Sequence, residues 1–83
     1  MTILDKILEM FSDEHFIKAD GFDDAIIGVE TSSGRLVYSI KKSIEILVQN
    51  DGMSYDDAAD FFYYNVEGSY VGEKTPIWVN DTF

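Results

Sequence analysis

The chain has 83 residues, with 16 Asp plus Glu against 6 Lys plus Arg, and a formal charge of −10 at neutral pH. Cysteine is absent, which excludes a disulfide scaffold, a cysteine-ligated zinc finger and a cysteine nucleophile, and points to a reducing cytoplasm. No apolar stretch is long enough to span a membrane, and Asp5, Lys6 and Glu9 interrupt the opening segment as a secretory core.

With 46% hydrophobic and 14% aromatic residues, the composition is that of a folding chain and not of a disordered acidic tail. The length predicts one domain over residues 1–83. Residues Thr2 to Ser12 form the first predicted helix: Ile3, Leu4, Ile7, Leu8 and Phe11 share an arc, Asp5, Glu9 and Ser12 fall opposite, and Thr2 is the cap. Asp13 to Asp24 has no sustained period and reads as an acidic loop carrying the only histidine, His15. Ala25 to Glu30 and Arg35 to Tyr38 have strand composition, and Thr31-Ser32-Ser33-Gly34 joins them as a hairpin turn.

Ser39 caps a second predicted helix that runs to about Gln49, with Ile40, Ser43, Ile44, Leu47 and Val48 inward, and Asn50-Asp51-Gly52 ends it. Ser54-Tyr55-Asp56-Asp57 resembles a capping box, with Met53 placed to staple onto Ala58, and opens a third helix that continues to about Glu67. Gly68 is expected as its left-handed C-terminal cap. Beyond it, Ile77-Trp78-Val79 has the composition of an edge strand, and Pro76 limits further pairing. The predicted fold class is α+β: a small antiparallel sheet, formed by the hairpin with the C-terminal strand at its edge, packed against three helices.

The third helix carries the sharpest functional signal. At 100° per residue Tyr55, Ala58, Ala59, Phe62 and Val66 face inward, and Asp56, Asp60, Tyr63, Tyr64 and Glu67 face outward. A regular helix sets those three carboxylates along a line of about 17 Å. Carboxylates accept bidentate bonds from arginine and tyrosines give rigid amphipathic contact, so these five residues are the candidate partner-binding face. The net charge, spread over roughly 5,000 Å², opposes direct contact with nucleic acid or anionic membrane and favours a partner with a basic surface.

No catalytic constellation is present: His15 stands alone, and no nucleophile elbow, phosphate loop or zinc-protease spacing occurs. The acidic loop does not match an EF-hand order, so no metal or cofactor is expected. Arg35, Lys41 and Lys42 form the one locally basic stretch and are expected to pair with Asp13, Glu14, Asp20, Asp23 and Asp24. Asn65 is expected to bond to backbone of the Tyr70–Thr75 turn, and Trp78 to close the core.

The segments DGFDDAIIGV, IKKSIEILVQNDGMSYDDAADFFYYNVEG and SYVGEKTPIWV, within residues 20–79, resemble a group of short proteins of tailed bacteriophages and mobile elements. YNVEG followed by YVGEKTPI is the most specific part. The resemblance implies a viral origin and action in the cytoplasm of a bacterial host, and it brings no catalytic residue with it. With the acidic-tyrosine face, it predicts a non-catalytic inhibitor of a host nucleic-acid-handling defence complex, of anti-CRISPR or anti-restriction type. Two alternatives have their own signatures. A structural or regulatory accessory would self-associate through the tyrosines and Ile77-Trp78-Val79, and a small hydrolase would bind one divalent ion through aspartates.

Overall fold

The computed structural model describes residues 2–68 and 72–83. In chain order it contains α1 (Ile3–Met10), a 3-10 turn (Asp23–Ala25), β1 (Ile26–Glu30), β2 (Arg35–Ser39), α2 (Ile40–Asp51), α3 (Tyr55–Phe61), a π-helical turn (Phe62–Val66) and β3 (Ile77–Val79). The α+β class is as the sequence predicts.

Thr2 and Asp5 form a reciprocal capping box on α1: Asp5 N–H donates to Thr2 Oγ1 at 3.1 Å, and Thr2 N–H to the Asp5 carboxylate at 3.2 Å. The helix is shorter than expected and ends at Met10. Eight residues press a single line onto the sheet, so Leu4 and Ile7 are buried while Ile3 and Leu8 remain exposed.

The hairpin pairs β1 and β2 antiparallel, with Glu30 opposite Arg35 and a bulge between Ile26 and Gly28. Glu30 also organises the turn. Its carboxylate accepts the Ser32 and Ser33 hydroxyls and the Ser33 N–H, and these bonds, that from Ser32 foremost, lower its pKa from 4.5 to about 2. Gly34 closes the turn at φ 71°, donating its N–H to Glu30 O at 2.8 Å. Lys74 lies over this turn and bonds to the Glu14 carboxylate at 3.3 Å and to His15 O at 3.2 Å, joining the acidic loop to the C-terminal segment.

Two side chains far apart in sequence hold the start of α2. Ser39 Oγ accepts Lys42 N–H at 3.0 Å, as its capping role predicts, and Asp81 from the C-terminal segment accepts Lys41 N–H at 2.9 Å and the Ser39 hydroxyl. The Ser39 hydroxyl bond, foremost, lowers the Asp81 pKa, and Lys41 acts in the same sense. A pKa lowered by folding gives stability that is complete above the unfolded value and lost as pH falls through the folded one. Asp81→Ala is therefore expected to cost about 1 kcal/mol near neutrality. In urea unfolding that cost should shrink as pH drops below about 4. A cost that stayed constant down to acid pH would show that the ionised carboxylate is not the cap.

Gly52, at φ 68°, ends α2 in the left-handed region. The chain then returns through α3 and lays β3 beside β2 in parallel, with Val37 opposite Ile77, Tyr38 opposite Trp78 and Ser39 opposite Val79. The sheet order is β1-β2-β3 and the sheet is mixed, where the sequence predicts an all-antiparallel one. The reason is the crossover: two helices between strands carry the chain back to the end at which β2 began, so the next strand runs the same way.

Helices and sheet enclose an aromatic core. Phe62, fully buried, stands edge-on to Trp78 at 5.1 Å and to Phe22 at 6.5 Å, and Trp78 lies 4.7 Å from Tyr38. Trp78 is half-buried and packs on the core, as the sequence predicts. The buried Tyr38 hydroxyl accepts Ala19 N–H at 2.8 Å, and desolvation raises its pKa.

Candidate interaction surface

The candidate face begins where Ser54 Oγ accepts Asp57 N–H at 3.2 Å and starts α3. The reciprocal bond of a full capping box is not among those formed at this end. Met53, expected to staple this end of the helix, is partly buried against the core that contains Ala58. Asp56 and Asp60 lie one turn apart on α3 and are exposed. The positive end of the helix dipole favours carboxylates in its first turn.

After Phe61 the expected regular helix widens: Glu67 N–H donates to Phe62 O at 2.9 Å, an i→i+5 bond. Asn65 accounts for the change, because its side-chain amide donates to Phe61 O at 3.2 Å and enters the backbone ladder. The Tyr70 and Val71 part of the turn expected to hold Asn65 lies outside the described residues. Gly68, expected as a left-handed cap, does not have a positive φ: the chain has already widened into the π turn over Phe62–Val66 before reaching it.

All five residues of the predicted face are exposed. Tyr63 is anchored edge-on against Phe62, with ring centres 5.3 Å apart, while Tyr64 is 87% exposed. The wider turn rotates Tyr63, Tyr64 and Glu67 relative to Asp56 and Asp60, so the straight carboxylate line expected of a regular helix is broken at Phe61. Tyr55, expected inward, is half-exposed because the first helical residue reaches past the core edge. Phe61 is also exposed. Two adjacent phenylalanines cannot both fit one buried arc, and that was its signal in the sequence.

Two ion pairs form among the described residues, and neither involves this face. Lys18 pairs with Asp23 at 3.6 Å, Lys74 with Glu14 at 3.3 Å, and Arg35 Nε donates to Thr75 O at 2.6 Å. The expected pairing of Arg35, Lys41 and Lys42 with the loop acids does not form among the described residues: Lys18 and Lys74 take Asp23 and Glu14, and Arg35 turns to the Thr75 carbonyl. Asp56, Asp60 and Glu67 take part in no ion pair among the described residues. With the chain's charge unbalanced over 5421 Å² of surface, moderate sodium chloride should raise the melting temperature. A steady fall between low and moderate salt would show that self-repulsion is not a significant cost.

A cleft of about 220 Å³ lies between Ile17–Asp20, the π turn and Pro76–Trp78, walled mainly by apolar side chains. Among the described residues no three His, Asp or Glu side chains are grouped to hold a metal ion, and no helix is long and apolar enough to cross a membrane. The chain matches no family model, no curated protein and no solved structure.

Proposed function

We propose that this protein acts by binding: it docks its acidic, tyrosine-bearing face on the basic surface of a host protein and keeps nucleic acid from that surface. A bacteriophage inhibitor of a CRISPR effector or a restriction enzyme would work in this way, with no catalysis of its own. The observation that carries the reading is the exposure of Tyr63 and Tyr64 beside Asp56, Asp60 and Glu67, three carboxylates that form no ion pair among the described residues. Carboxylates presented without internal cations can replace phosphates in accepting bonds from Arg and Lys. The long-range field of a −10 body steers a basic partner toward it.

The test is competition. A partner recovered on the tagged protein at low salt is titrated with nucleic acid in the presence and absence of this protein. Mutually exclusive binding, weakened as salt rises, is expected. A stable ternary complex would overturn the inhibitory reading, and recovery of the chain alone as a concentration-dependent oligomer would favour a self-associating accessory.

A further inference from the structure

A second concavity, of about 300 Å³, lies where the C-terminal part of α2 meets α3 and the acidic loop. Phe22, Ile46 and Phe61 are among its walls, and Asp20, Asn50 and Asp51 supply its polar groups. Phe61 is 40% exposed, leaving part of its ring available to a ligand. Among the described residues Asp20 and Asp51 form no ion pair, and no cationic side chain lines the groove.

From this arrangement we infer that the groove is a slot for one arginine side chain of the basic partner, an assignment that rests on the binding role proposed above. An arginine matches both halves of the lining. Its methylene stem lies along apolar wall, its planar guanidinium stacks on an aromatic ring, and its five N–H donors serve carboxylates approaching from different segments. Lysine offers a compact charge without the planar fork and fits the same lining less well. An anionic ligand would meet two carboxylates, and a purely apolar one would strip them of water without compensation.

The slot joins two regions that are separate in sequence. Asp20 belongs to the acidic loop and Phe61 to the helix that carries Asp56 and Asp60, so one inserted arginine would register a partner against both.

The test uses blocked Gly-Arg-Gly, Gly-Lys-Gly and Gly-citrulline-Gly peptides, titrated into the 15N-labelled full chain and followed by amide chemical shifts. The arginine peptide should shift Asp20–Phe22, Ile46–Asp51 and Phe61 saturably, with an affinity in the millimolar range expected of a single side chain. Lysine should bind about tenfold more weakly and citrulline, which has the shape without the charge, not at all. Asp20→Asn with Asp51→Asn should lose about tenfold in arginine affinity while keeping the dispersed spectrum of the folded chain. Equal arginine and lysine affinities, or shifts confined to the outward face of α3, would overturn the slot. A silent groove together with continued capture of a nucleic-acid-competing partner would sink the slot and leave the binding role standing. Arginine-specific binding without any such partner would do the reverse.

Discussion

Phe62→Ala is expected to destabilise the protein by about 3–5 kcal/mol, the range for removing a buried aromatic side chain. A domain of 83 residues has roughly 4–12 kcal/mol in total, so a large fraction of the variant should be unfolded. Phe62 has no exposed surface and contacts Phe22, Trp78 and Tyr63 edge-on, so three aromatic partners lose packing at once. The damage should also reach the candidate face, because Phe62 begins the π turn and its carbonyl accepts the Glu67 N–H. Tyr64→Ala is the contrast: removing a ring that is 87% exposed should change stability by less than about 0.5 kcal/mol. Urea unfolding followed by the fluorescence of Trp78, the single tryptophan, measures both. Equal stabilities for the two variants would show that the aromatic cluster is not what holds the π turn to the core.

Local chemistry made much of this fold legible in the sequence. Ser39 and Gly52 bound α2 because an N-cap hydroxyl and a left-handed residue act within a few positions of themselves. Thr31–Gly34 reads as a turn for the same reason. The parallel direction of β3 was not legible, since it follows from the path of two intervening helices. Nor was the Asp81 cap, whose partners lie about 40 residues away. The five outward residues of the third helix were found because periodicity alone sorts an exposed face. The break at Phe61 was missed because it depends on one amide reaching one carbonyl. The groove shared by Asp20, Asp51 and Phe61 is purely tertiary, and no spacing in the chain announces it.

If the proposed docking role holds, replacing Asp56, Asp60 and Glu67 together by lysine is expected to weaken binding to the proposed basic partner by about a hundredfold or more. Each substitution removes an acceptor of charge-assisted hydrogen bonds and puts a like charge against the partner. Association should slow most at low ionic strength, where steering is strongest, and the defect should narrow as salt screens both proteins. Loss of fold is a weak rival explanation, because none of the three carboxylates holds an ion pair among the described residues. Lysine in the first turn of α3 costs about 0.3–1 kcal/mol against the helix dipole, and the reduced self-repulsion of an otherwise −10 chain opposes that cost. The variant should therefore melt close to the parent while failing to bind. A folded triple variant with parental affinity would remove this face as the docking surface. The groove beside Phe61 would then have to hold the partner without help from the tyrosines, and Tyr64→Ala, silent in stability, would also be silent in binding.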